Sequence, residues 1–190
     1  MRTVTGLFDT HERALNALHA LRDAGIGSAD IGLIANSPED VGHDESVVGK
    51  DLVAGAELGA VLGGAGGLLA GLGMLAIPGI GPVLAGGWLV SAALGAVAGA
   101  GVGAATGGII GILTSAGVPE SDAHVYAEGL RRGGVLVTAR VAEGQVDDAL
   151  AILRQSSGID IEDLRRVYEG EGWTGFDENA PERPADQLET

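Results

Sequence analysis

The chain of 190 residues carries 26 Asp and Glu against 11 Lys and Arg, a formal charge of -15, which excludes a nucleic-acid partner, since displacing counterions from phosphates takes clustered cations. The absence of cysteine excludes disulfides and thiolate chemistry and fits a reducing compartment. Hydrophobic residues make up 46% of the chain but aromatics only 3%, so the apolar mass is small and aliphatic rather than built on the large rings that usually supply buried area.

From the N-terminus, MRTVTGLFDTHERALNAL has no apolar core leading to a small-residue cleavage site, so no cleaved signal is expected and the bulk of the protein is assigned to a cytoplasm. Thr3 to Phe8 reads as a strand. Asp9-Thr10-His11-Glu12 supplies a side-chain cap and a first-turn carboxylate, which predicts a helix starting there. Ala14, Leu15, Leu18 and Leu21 form its apolar face, and Gly25 stands where it should stop. Asp30 to Ala35 is a second strand, so residues 1–36 make one βαβ unit. Residues 37–51, with Glu39, Asp40, Asp44, Glu45 and Asp51, read as an acidic linker.

Residues 52–118 form an insert of different character. Between Glu57 and Glu120 there is no charged residue, a run of roughly sixty positions where about twenty cross a bilayer once. Ile77-Pro78-Gly79-Ile80-Gly81-Pro82 breaks the run and favours a tight reversal, so a helical hairpin is predicted. Its first arm has Gly55, Gly59, Gly63, Gly67 and Gly71; its second has Gly87, Ser91, Gly95, Gly99, Gly103, Gly107 and Gly111. The interval of four sets these small residues along one helical ridge, a groove into which another backbone packs closely. The eight glycines of Leu52 to Leu75 cost about 6 to 8 kcal/mol relative to alanine in a helix, so such arms need lipid or dense helix contacts around them. Length, lack of charge, Trp88 near the turn, and Lys50 with Arg131-Arg132 at the base favour a membrane. The low bulk of the side chains favours a water-soluble oligomer that buries the hairpins.

Residues 119–168 resume the flanking grammar. Pro119-Glu120-Ser121-Asp122 opens a connecting helix through Val125, Tyr126 and Leu130 to Arg131-Arg132-Gly133-Gly134. Val135 to Val141 is a strand, and Gln145 to Gln155 a helix with Val146, Leu150 and Leu153 inward and a stop at Gly158. Ile159 and Ile161 are expected to start a last strand. The two halves echo each other in Leu18-x-x-Leu21-Arg22 and Leu150-x-x-Leu153-Arg154. The fold class is thus α+β, a ferredoxin-like βαβ…βαβ sandwich split by the glycine-zipper hairpin. Residues 169–190 carry Glu171, Asp177, Glu178, Glu182, Asp186 and Glu189 with Pro181 and Pro184, a composition expected to be disordered.

No catalytic, cofactor or metal residues are assigned. His11, His19, His43 and His124 are scattered, and no pair has the spacing of a helical metal site. The Gly99-x-Gly101 string lacks the strand-turn-helix context of a dinucleotide loop. Ser115 and Ser121 have no partnered histidine in a recognisable spacing, and Ser91 reads as a zipper residue. Tyr126 reads as packing, Trp173 as tail, and Glu57 as a boundary residue at the insert's edge.

The opening VTGLFDTHERALNALHALRDAGIGSADIGLIA, the glycine-zipper insert and the later YAEGLRRGGVLVTARV resemble the bacterial general stress protein family described as heat-induced or low-temperature-induced stress proteins. The likeness spans nearly the whole chain before the tail. It implies a cytoplasmic-facing βαβ domain, stress-linked expression and no catalytic set to transfer. The expected function is a non-enzymatic protein that assembles with itself or associates with a lipid bilayer, both termini in the cytoplasm. The alternatives are a small-molecule or ion binding module tethered by the hairpin, or a membrane-remodelling or pore protein.

Overall fold

The computed structural model describes residues 1–36, 72–89, 108–157 and 159–180. Strand β1 (Arg2–Phe8), helix α1 (His11–Asp23) and strand β2 (Ile31–Ala35) follow the expected order. Thr10 caps α1 by accepting from the Arg13 N–H, which satisfies one of the donors a helix start leaves open. Strands β3 (Leu72–Ile77) and β4 (Gly81–Gly87) come next. Helices α2 (Gly108–Ser115) and α3 (Glu120–Arg131), strand β5 (Val135–Val141), and helices α4 (Val146–Ser157) and α5 (Ile161–Gly170) complete the order.

The strands form one antiparallel sheet in the order β1-β5-β2-β4-β3. β5 enters between β1 and β2, pairing Phe8 with Val135 on one side and Ala35 with Val135 on the other. Both faces are covered, and the alternation of side chains explains how. Val4 and Phe8, Ile31 and Leu33, and Val135, Val137 and Ala139 point to one side, where Ala14, Leu18 and Leu21 of α1 and Ala149 and Leu153 of α4 close the layer. Leu7, Ile34 and Leu136 point to the other, against Ile109 and Leu113 of α2 and Tyr126, Ala127 and Leu130 of α3. Helix α5 docks on α3 through Arg165, which donates to Asp122 at 2.6 Å and to the Ser121 carbonyl at 3.1 Å.

Three expectations are corrected. Over residues 72–87 the chain is a β-hairpin, not the ends of two helical arms. The reversal at Pro78–Ile80 stands, but β4 continues the ladder on the free edge of β2, with Gly32 opposite Gly87 and Ala35 opposite Leu84. Glycines make that approach feasible. A Cβ on Gly32 would lie 2.8 Å from Leu89, and one on Gly87, whose φ is +75°, would lie 1.9 Å from the Ile31 carbonyl oxygen. The second arm is also broken at Gly108, whose φ of +77° no right-handed helix contains. Second, the strand expected from Ile159 and Ile161 is helix α5. Asp160 caps it by accepting from the N–H groups of Glu162 (2.8 Å) and Asp163 (3.4 Å), and Ile161, Leu164 and Tyr168 follow at helical spacing. Third, the acidic tail is packed as far as Ala180. Phe176 is buried in the core beneath α3, and its N–H donates to His124 Nδ1 at 3.1 Å.

Candidate functional site

Among the described residues β1 pairs with β5 alone, and a cleft of about 240 Å³ lies along its outer edge. Thr5, Gly6 and Leu7 form the floor. Leu150, Leu153 and Arg154 of α4 form one wall; Tyr126 of α3, with Ile159, Asp160, Ile161, Glu162 and Leu164 at the start of α5, forms the other. The cleft exists because α5 leaves the sheet plane at Asp160 and lies across α3 instead of pairing with β1.

Its interior is apolar with a few polar groups. The Tyr126 hydroxyl donates to the Thr5 carbonyl at 3.1 Å. Burial, and then the charges of Asp122 and Asp160, push this phenol well above its ordinary range, so it stays protonated and its oxygen remains an acceptor. Thr5 Oγ1 is buried without a hydrogen-bond partner. At the mouth Arg154, Asp160 and Glu162 are exposed. Asp122 is held by Arg165, whereas Arg154 forms no ion pair among the described residues. The cleft offers both charge signs at its mouth over a lining of mixed polar and apolar groups.

A second cluster joins α3 to the C-terminal segment. Glu128 is fully buried and takes Arg131 Nε and Nη2 at 2.9 Å each and Arg132 Nε at 2.7 Å. Arg132 also donates to Glu171 at 2.6 Å and stacks 4.0 Å from the Tyr168 ring centroid, while Trp173 meets Tyr168 edge to face at 5.8 Å. Desolvation works against the Arg132 charge, but hydrogen bonds to Glu128 and Glu171 outweigh it and the guanidinium is held above its ordinary value. Every charged member has a partner, so the cluster serves as a structural clasp, although the Trp173 indole Nε1 is buried without a hydrogen-bond partner. It starts a strap that continues through Phe176 to Asp177 and Glu178, which lie so close to Gly79 that a Cβ there would meet the Asp177 carbonyl at 2.8 Å.

Of the small residues expected to pack helices, Gly87 ends strand β4 and Gly111 is half-buried within α2. Gly55, Gly59, Gly63, Gly67, Gly71, Ser91, Gly95, Gly99, Gly103 and Gly107 lie outside the described residues, as do the acidic linker and Glu57. Among the described residues no helix is long and apolar enough to cross a membrane, and no group of three His, Asp or Glu side chains is placed to hold a metal ion. Sequence reasoning passed over Thr5, Arg154 and Asp160 and treated Tyr126 as packing. The capping pattern Asp160-Ile161-Glu162-Asp163 would have exposed the helix that opens the cleft. Comparison with protein-family models, curated proteins and solved structures gives no match.

Proposed function

We propose that the chain is a non-enzymatic binding protein whose α/β unit takes a small molecule in the cleft beside β1, while its glycine-rich insert gathers copies of the chain or holds them at a lipid bilayer. The observation that carries the first part is the position of the cleft. In a ferredoxin-like reading, β1, β5 and β2 stand for strands one, three and two, with α1 and α4 on one face. The place of the fourth strand, beside β1, is then the cleft, closed from two layers and open to solvent at its charged mouth. The lack of any triad-like or metal-like grouping in the sequence supports a binder over a catalyst.

The test is a thermal-shift screen of small metabolites on the full chain, repeated on Leu150→Trp, which places an indole in the cleft. A cleft ligand raises the melting temperature of the native chain and not of the variant. If no compound stabilises the native chain, or if stabilisation survives in the variant, the binding reading fails.

Assembly is the second part, and the interval of four from Gly55 to Gly71 and from Ser91 to Gly107 favours it. The stress-linked role rests on the family resemblance. Gly63→Leu or Gly99→Leu, by blocking backbone approach, is expected to lower the mass in light scattering or to release the protein from membrane fractions. An unchanged mass and unchanged partitioning would refute it.

A further inference from the structure

We propose that the ligand of the cleft is a free α-amino acid with an aliphatic side chain of about leucine size; this rests on the binding reading above. Volume sets the first bound. About 240 Å³ holds roughly eight waters at about 30 Å³ each, which suits a nine-heavy-atom solute such as leucine.

Charge sets the second. The mouth presents a guanidinium, Arg154, with no ion pair among the described residues, next to carboxylates that have no cation of their own there. A simple anion would find Arg154 but face Asp160; a simple amine would find Asp160 but leave Arg154 unmatched. A zwitterion satisfies both, its carboxylate taken by the fork of Arg154 and its ammonium by acid oxygens.

The interior assigns the ammonium its place. Asp160 spends Oδ1 on capping α5, and its second oxygen is left for a donor. The Tyr126 hydroxyl donates its proton to the Thr5 carbonyl, so its oxygen can only accept from the ligand. Those two acceptors take two N–H bonds of an ammonium group, leaving its third N–H to the open mouth. Leu150 and Leu164, both half-buried, offer the apolar wall for the side chain.

Isothermal titration of the full chain with L-leucine, 4-methylpentanoate and 3-methylbutylamine reads each charge separately, since the two analogues lack the amino and the carboxylate group respectively. Leucine is expected to bind about tenfold or more tighter than either. Arg154→Gln should reduce leucine to the level of the amine. Asp160→Asn, which keeps the helix cap, should reduce it to the level of the carboxylate. If either analogue binds as well as leucine, or if Arg154→Gln leaves leucine affinity unchanged, the zwitterion assignment is overturned while the cleft remains a binding site. If leucine fails and another compound stabilises the native chain but not Leu150→Trp, the ligand class is wrong and the site is right. If nothing binds, both readings fall together.

Discussion

The substitution Gly87→Ala separates a strand from a helix at this position by the sign of its effect. In a helical arm, alanine in place of glycine stabilises by about 1 kcal/mol. In the structure Gly87 ends β4 with φ +75°, and an added Cβ would sit 1.9 Å from the Ile31 carbonyl oxygen and 3.0 Å from Gly32 Cα. Left-handed backbone alone costs alanine about 1–2 kcal/mol. The contact is with backbone on both sides, so relief requires β2 and β4 to move apart where Gly32 pairs with Gly87, and the total should reach about 3 kcal/mol or more. For a chain of this size that lowers the melting temperature by roughly 6–12 °C. Gly25→Ala is the matched control, because Gly25 has φ +86° and nothing within 4 Å of its Cβ position; it carries the conformational cost alone. Thermal unfolding of the three proteins by circular dichroism gives the comparison. A Gly87→Ala protein as stable as the native chain, or destabilised no more than Gly25→Ala, would refute the pairing of β4 with β2.

Two further outcomes follow from buried polar groups. Glu128→Ala leaves Arg131 and Arg132 facing each other without their shared carboxylate and should cost about 3–5 kcal/mol, with a red shift of Trp173 emission as the strap loosens; a urea midpoint close to that of the native chain would contradict the clasp. Tyr126→Phe should cost about 1 kcal/mol at neutral pH through the lost bond to Thr5. It should also flatten the alkaline limb. An unfolded tyrosine ionises near pH 10 while buried Tyr126 keeps its proton, so the stability it contributes is complete below about pH 10 and is lost as pH rises above that. Equal alkaline slopes for the two proteins would show that this phenol does not govern the limb.

Where local chemistry and tertiary structure agree, the elements are legible in the sequence. Thr10 and Gly25 bracket α1, the alternating β-branched run from Val135 to Val141 is β5 to the residue, and Pro119 and Gly133 bound α3. The errors have distinct causes. Leu72 to Gly87 is apolar and rich in small residues, and a spacing of four suits a close helix contact; but small residues suit close strand pairing too, and only the free edge of β2 decides between them. At Ile159-Asp160-Ile161 an apolar alternation of three residues outweighed a capping aspartate followed by two carboxylates. Phe176 was submerged in a tail judged by its charge, though a single ring with a core to enter is enough to order a short segment. The cleft could not be read locally at all, because Tyr126 and the Thr5 carbonyl it holds are 121 residues apart.

The place of β5 between β1 and β2 also governs the order in which this molecule can be made. The first strand leaves the ribosome with nothing to pair with, and its partner at Val135–Val141 follows roughly 130 residues later. At 5–20 residues per second the nascent chain must carry an unpaired strand and its most apolar stretch for on the order of ten seconds. Topology of this kind folds slowly and leaves sticky surface uncovered in the meantime. The expected mark of this arrangement is a soluble yield that rises when translation is slowed or the temperature of expression is lowered.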